Sequence, residues 1–142
     1  MALDLNDKTA NGNTLTNSGV AEVTTSLPFG ASIKAADFEA SESDFMSAAD
    51  STSLSLNSPL SIEFWVKFES TPSSGNNYSL VTKWNHEGTG TTDRSYALFL
   101  INSAGTLKIE WDTSSNRGNS GVTVGLWNWT PTTATWYHVA LT

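Results

Sequence analysis

Several features that are common in proteins are missing from this chain of 142 residues. It has no cysteine, which excludes disulfide bonds, thiolate chemistry and cysteine-liganded zinc. Only seven basic residues stand against fourteen acidic ones, giving a net charge of −7. Nucleic acid and anionic lipid need a basic footprint, so neither is expected as a partner. No apolar run reaches the roughly 18 residues of a membrane-spanning helix, so no membrane insertion is predicted.

Charge and apolar residues are also scarce, because charged residues make up 15% of the chain and hydrophobic residues 38%. Serine and threonine supply roughly a quarter of the sequence, about twice their usual share. A composition with few charged residues and many hydroxyl side chains is typical of secreted or surface-displayed β proteins. The first residues carry neither a basic nor an apolar leader segment. We therefore expect an extracellular, cell-surface or virion-associated protein with no signal peptide in this chain, whose leader has been removed or whose export uses another route.

The clearest pattern is a strict alternation in the middle of the chain. Four apolar residues alternate there with three others, the apolar ones being Ile62, Phe64, Val66 and Phe68 and the others Glu63, Trp65 and Lys67. A period of two indicates a β-strand with one buried face, since a helix would scatter these side chains around its circumference.

Short strands, including this one, recur at near-regular spacing along the chain. They are predicted within Thr14–Thr24 and at Ser32–Phe38, Asp44–Ala48, Ser61–Phe68, Tyr78–Trp84, Ser95–Ile101, Leu107–Asp112, Val122–Trp127 and Trp136–Leu141. A hairpin turn is expected at Asn102–Gly105, where Gly105 can take a positive φ. No helix of ten or more residues is predicted. The pattern favours an all-β sandwich or barrel, and the length suits one domain over residues 1–142.

Several of these segments, in this order, resemble the laminin-G-like branch of the concanavalin A-like lectin/glucanase superfamily, which also holds the pentraxins. They are Ala36-Asp37-Phe38, Asp44-Phe45-Met46, Leu60–Lys67, Tyr96–Leu100, Gly105-Thr106-Leu107 and Trp136–Thr142. The resemblance implies an antiparallel two-sheet jelly-roll sandwich. In that family further strands follow the segment matching Trp136–Leu141, whereas this sequence stops at Thr142. Three explanations stay open: a C-terminally truncated domain, strands donated by another chain, or a minimal variant closed by an earlier strand.

The resemblance raises the question of catalysis, because glucanases share the fold. Their motif is Glu-x-Asp-x-x-Glu, which aims alternate carboxylates into one cleft. Glu110 and Asp112 match the first two members, but Ser115 stands in place of the third. We therefore expect no enzyme, with these carboxylates facing solvent on the outer face of a strand. For His138, within a strand, a structural role is expected.

Calcium is the cofactor that the sequence favours most. Hard cations take carboxylate, amide and carbonyl oxygens, and the Asp7–Asn13 loop offers Asp7, Asn11 and Asn13. In the pentraxins the residue matching Asp93 binds calcium, so the resemblance implies Asp93 as a further ligand. The alternative is that these side chains cap their own loops.

Carbohydrate is the ligand class that the sequence favours most, since sugars pack their C–H faces on aromatic rings beside a few polar groups. Candidate ligand-binding residues are Trp84, Asn85, His86, Trp127 and Trp129, whereas Trp111 and Trp136 are expected in the core. For Trp127 and Trp129, which alternation places on one side of a strand, a core-facing pair is the alternative. The sequence thus predicts a non-catalytic, lectin-like, carbohydrate-binding or adhesive module. The alternatives are a structural protein, such as a phage or appendage component using strand complementation or homo-oligomerisation for protein–protein contact, and, more distantly, a glycoside hydrolase.

Overall fold

A computed structural model describes residues 3–26, 30, 32–56, 59–85 and 94–142. They form an all-β protein with ten antiparallel strands and two short 3-10 turns. The chain divides into two compact units, Met1–Ser53 and Leu54–Thr142. Nowhere in these ranges is a helix long and apolar enough to cross a membrane.

The N-terminal unit contains two separate two-stranded ladders. Strands β1 (Thr16–Ser18) and β4 (Phe45–Ser47) form one, and β2 (Ala21–Ser26) and β3 (Ser32–Asp37) form the other. The sequence correctly placed β3 and β4. Each nevertheless pairs with an earlier strand and not with the other, so the turn between them links two ladders.

The C-terminal unit contains the remaining strands in two sheets. They are β5 (Ile62–Lys67), β6 (Asn77–Trp84), β7 (Arg94–Ser103), β8 (Thr106–Ser114), β9 (Val122–Asn128) and β10 (Trp136–Leu141). Strands β6 to β9 form a four-stranded sheet in chain order, and β10 pairs with β5. All six lie where the alternation of the sequence predicts strands.

Residue alternation gives the β5–β10 ladder two distinct faces. On one face Ile62, Phe64 and Val66 stand opposite Leu141, Val139 and Tyr137. On the other face Glu63, Trp65 and Lys67 stand opposite Ala140, His138 and Trp136. The first face is the apolar one, as the alternation of β5 predicts.

The core of the C-terminal unit lies on one face of the four-stranded sheet, which we call the inner face. Leu98 and Leu100 of β7 are fully buried there, opposite Trp111 and Ile109 of β8. Ring contacts from Trp129 to Phe68 and Tyr137 connect this sheet with the β5–β10 ladder. The layering is therefore sandwich-like, whereas the concanavalin A-like jelly roll implied by the resemblance stays a prediction.

A tight hairpin joins β7 to β8 as predicted. Ala104 and Gly105 have φ values of 50° and 89°, the two positive values that a type I′ turn requires. The Gly105 N–H donates to Asn102 Oδ1 over 2.9 Å. This turn fixes the register of β8, which carries two of the aromatic and aliphatic residues of the site described next.

Candidate functional site

A groove of about 450 Å³ opens between the inner face of the four-stranded sheet and strand β10. This volume lies within the range of roughly 300–1,000 Å³ that is usual for small-molecule sites. Its walls are Ile109, Trp111, Trp127 and Trp129 on one side and Tyr137–Thr142 on the other. We call it the aromatic groove.

Strand β10 borders the groove with its edge. Six consecutive residues, Tyr137–Thr142, line it, although successive side chains of a strand point to opposite faces. A groove that contacts all six residues must therefore run along the backbone of β10 and not along one face of its side chains. Within the described ranges β10 pairs only with β5, so its other edge offers backbone N–H and C=O groups along the groove.

Trp127 is the most exposed aromatic residue of the groove, at 53% of its surface. Its indole bends back along its own strand onto Gly125. A Cβ atom placed on Gly125 would lie 2.5 Å from Trp127 Cη2 and 2.9 Å from Cζ3, so the ring fills the space that a side chain would take. Gly125 therefore leaves room for the exposed Trp127 ring to pack directly against the sheet, in a position that we call the seat of Trp127.

Trp129 is held more firmly than Trp127. Its ring makes edge-to-face contacts with Phe68 and Tyr137, at centroid distances of 5.9 and 5.2 Å. Its backbone N–H donates to the Leu107 carbonyl over 3.1 Å, which continues the β8–β9 register beyond β9. Trp127 and Trp129 thus line one groove, and ligand binding by this pair stays a prediction.

Trp84 and Asn85, two other predicted ligand-binding residues, lie elsewhere. Trp84 is the last residue of β6, and β6 and β9 form the two opposite edges of the four-stranded sheet. Three strand spacings, or about 14 Å, therefore separate β6 from β9. The Arg94 guanidinium lies over the Trp84 ring at 5.1 Å and donates to the Asn85 carbonyl over 3.1 Å. The structure does not bring these residues to the groove, and His86 lies outside the described residues.

The proposed calcium ligands are only partly described, because Asp93 lies outside the described residues. The Asp7 carboxylate accepts hydrogen bonds from the Thr9 N–H, the Thr9 hydroxyl and the Asn13 N–H, each over 2.7 Å. These donors lower the pKa of Asp7. Asn11 is exposed, and its N–H donates to Thr9 Oγ1 over 3.2 Å.

This arrangement caps the loop from within. In the described part of the chain, no group of three or more His, Cys, Asp or Glu side chains could hold a metal. The Asp7 carboxylate is thus engaged by its own loop, and calcium binding by Asp7, Asn11 and Asp93 stays a prediction.

The outer face of the β5–β10 ladder holds both His138 and Trp136. The His138 ring lies 5.3 Å from the Trp65 ring, with its Nε2 3.6 Å from a Glu63 carboxylate oxygen, in keeping with a structural role. The expectation of a core position for Trp136 is wrong. Its register places it opposite Lys67, whose ammonium lies 5.5 Å from the ring.

Glu110 and Asp112 share the outer face of β8, but Asp112 does not face solvent as the sequence suggested. It is only 9% exposed, and its Oδ1 has no hydrogen-bond partner among the described residues. Burial raises the pKa of Asp112, although the Arg94 charge opposes this. Burial and the neighbouring Asp112 charge also raise the pKa of Glu110. In the sheet Asp112 lies between Ala97, which is fully buried, and Val124, which is 51% exposed.

This pair predicts a pH dependence of stability. The pKa of Asp112 is higher in the folded protein than in the unfolded chain. Deprotonating this buried carboxyl therefore lowers the stability of the folded protein as the pH rises past about 4. We expect Asp112→Asn to raise the free energy of unfolding by about 1 kcal/mol at neutral pH and to have no effect near pH 3. Urea denaturation at both pH values measures this. Glu69→Gln, which removes an exposed charge, is the control, and a less stable Asp112→Asn at neutral pH would contradict the prediction.

Two parts of the groove were not predictable from strand patterns alone. Trp111, for which the sequence predicts a core position, lines the groove. The sequence predicts Gly125 only as part of the Val122–Trp127 strand, although the Gly-x-Trp spacing of Gly125 and Trp127 places them on one face. That spacing was the available signal. The edge of β10 could not be found in this way, because pairing between distant strands is not a local property.

Comparison of the chain with protein-family models, curated proteins and solved structures finds no match. The laminin-G-like resemblance thus rests on the sequence segments themselves.

Proposed function

We propose that this chain is a non-catalytic carbohydrate-recognition module, with the aromatic groove as its binding site. The observation that carries the proposal is the seating of Trp127, whose ring packs on Gly125 and is still 53% exposed. An indole that is held in place and half exposed can receive a ligand without losing further side-chain freedom on binding.

The chemistry of the groove suits a pyranose ring. Sugars with equatorial hydroxyls present flat C–H faces that pack against indole rings, and Trp127, Trp129 and Trp111 offer such rings along one wall. Hydroxyl groups around the sugar rim need donors and acceptors. The free edge of β10 supplies both from its backbone, and Thr142 adds a hydroxyl. Tyr137 is less available, since its hydroxyl accepts from the Thr132 N–H over 2.8 Å.

The laminin-G-like resemblance supports the same proposal, because that superfamily holds lectins and adhesive domains in a jelly roll. It extends the proposal to an extracellular, cell-surface or virion location and to calcium bound by Asp93. Catalysis receives no support, since the third acidic position of the glucanase motif is Ser115. We expect weak affinity for single sugars and useful avidity from several copies.

Titration with hexasaccharides of β-1,4-linked glucose and N-acetylglucosamine, alongside a glycan array, tests the proposal. We expect Trp127→Ala to lower the affinity for any bound glycan about tenfold or more, because the stacking surface is removed. Trp136→Ala is the matched control, since this tryptophan lies on the outer face of its ladder under Lys67. Equal loss in both variants, or no glycan bound at millimolar concentration, would contradict a carbohydrate site in the groove.

A second candidate ligand is an extended polypeptide, and the free edge of β10 favours it. A strand added to that edge would form backbone hydrogen bonds and place alternate side chains into the groove. Synthetic peptides with alternating Val and Thr test this candidate. Binding that is abolished by N-methylating alternate backbone amides would support strand addition over carbohydrate, because a sugar site is indifferent to those amides.

A further inference from the structure

The two edges of the four-stranded sheet differ in how they are protected. Strand β6, at one edge, has two register irregularities against β7, between Ser79 and Val81 and between Lys83 and Trp84. Strand β9, at the other edge, pairs with β8 in an unbroken register from Val122 to Asn128. Bulges and charges are the usual means by which an edge strand avoids pairing with another chain. Strand β9 has no bulge.

Strand β9 also lacks charge. Its sequence, Val-Thr-Val-Gly-Leu-Trp-Asn, contains no Lys, Arg, Asp, Glu or Pro, although the whole chain carries a net charge of −7. Val124 and Leu126 are 51% and 49% exposed on its outer face. A straight, neutral edge with apolar side chains is a surface that recruits another strand.

Hydrogen bonds at the ends of β9 show which of its residues face outward. The Trp129 N–H donates to the Leu107 carbonyl, and the Ser115 N–H donates to the Gly121 carbonyl over 3.0 Å. Both pairs continue the β8–β9 register. Antiparallel hydrogen-bonded pairs recur every second residue, so the odd-numbered residues of β9 bond to β8. The even-numbered ones therefore turn their backbone groups to the free edge, namely Val122, Val124, Leu126 and Asn128.

We propose that β9 pairs with β9 of a second copy of this chain, antiparallel, across a two-fold axis at Gly125. This register places Val124 opposite Leu126 of the partner subunit on the outer face. On the inner face it places Trp127, the largest side chain of the strand, opposite the small Thr123 of the partner subunit. All four outward-facing residues of each strand then find hydrogen-bonding partners.

Other registers leave some of the outward-facing backbone groups without hydrogen-bonding partners. The outward-facing residues are all even-numbered, and they must pair with one another. The two-fold axis therefore has to pass through a residue of β9 and not between two residues. An axis through Val124 leaves the backbone groups of Asn128 beyond the end of the partner strand, and an axis through Leu126 does the same for Val122. A second copy is favoured over an unrelated strand because β9 complements itself, with smaller residues facing larger ones and no like charges brought together.

The dimer has a consequence for the aromatic groove. The pairing joins the two four-stranded sheets into one, with Trp127 of each copy on the same face beside the axis. Two grooves in one assembly would supply avidity for a polymeric ligand. The dimer itself does not depend on carbohydrate binding, so its test is carried out without glycan.

Cysteine cross-linking tests the register, because the native chain has no cysteine. We expect a mixture of Val124→Cys and Leu126→Cys proteins to form a mixed disulfide dimer, since directly opposed residues have Cα atoms about 5.5 Å apart. Val124→Cys alone is the matched control. Its two cysteines would be offset by two residues, with Cα atoms about 8 Å apart, beyond disulfide reach. Self-cross-linking of the control as efficient as that of the mixture would overturn the register.

Light scattering tests the dimer itself. We expect the full chain to show twice the mass of 15.2 kDa and Leu126→Lys to return it to a monomer, because the ammonium groups would be brought into an apolar pairing. Leu126 is exposed, so the variant should keep the circular dichroism spectrum of the native chain. A native chain that is monomeric up to millimolar concentration, or a Leu126→Lys protein that stays dimeric, would overturn the proposal.

Discussion

Gly125→Ala is expected to weaken glycan binding about tenfold, or ~1.4 kcal/mol, although the substitution removes no tryptophan. The added methyl carbon would lie 2.5 Å from Trp127 Cη2, closer than non-bonded carbon atoms approach, so the indole must leave its seat. The backbone at Gly125 does not have a positive φ, and alanine therefore adds no backbone strain. The expected loss of affinity at each groove therefore arises from the displacement of Trp127.

Val124→Ile is the control for this substitution. It also adds one carbon to β9, but on the outer face, away from the groove, so glycan affinity should not change. Native affinity in Gly125→Ala would show that the seat of Trp127 has no part in binding. A similar loss in Val124→Ile would point to disturbance of β9 as a whole.

Leu98→Ala is expected to have the largest effect on stability, lowering the free energy of unfolding of the C-terminal unit by about 3 kcal/mol. Leu98 is fully buried on the inner face opposite Trp111. Truncation there removes buried apolar surface and leaves a cavity, and such changes typically cost 2–5 kcal/mol. Urea denaturation followed by tryptophan fluorescence measures the effect.

Leu126→Ala is the matched control, because it makes the same chemical change in the same sheet at a side chain that is 49% exposed. Its cost should stay below about 0.5 kcal/mol for the monomer. Equal costs for the two substitutions would mean that the inner face of the sheet is not the core of the unit.

The strands were predictable from the sequence because alternation is a local signal. The apolar side of β5, the β7–β8 hairpin and the positions of β9 and β10 all follow from residues two apart and from turn residues such as Gly105. Pairing was harder to predict. The sequence gives no sign that β4 bonds to β1 and not to its neighbour β3, since the choice depends on contacts between distant segments.

The candidate site was predictable in part for the same reason. The side-by-side placement of Trp127 and Trp129 follows from their spacing, whereas the separation of Trp84 from them depends on the strand order of the sheet. The burial of Asp112 was missed because alternation assigns a residue to a face and does not say whether anything covers that face.

Heteronuclear NMR of the six tryptophan indole N–H groups, assigned by single substitutions, tests the central claim most directly. When a glycan that binds on the array is added, the indole signals of Trp127 and Trp129 should shift with the same midpoint, and those of Trp65 and Trp136 should stay in place. Shifts confined to Trp65 and Trp136, or a bound glycan that leaves Trp127 unmoved, would contradict the assignment of the groove as the recognition site.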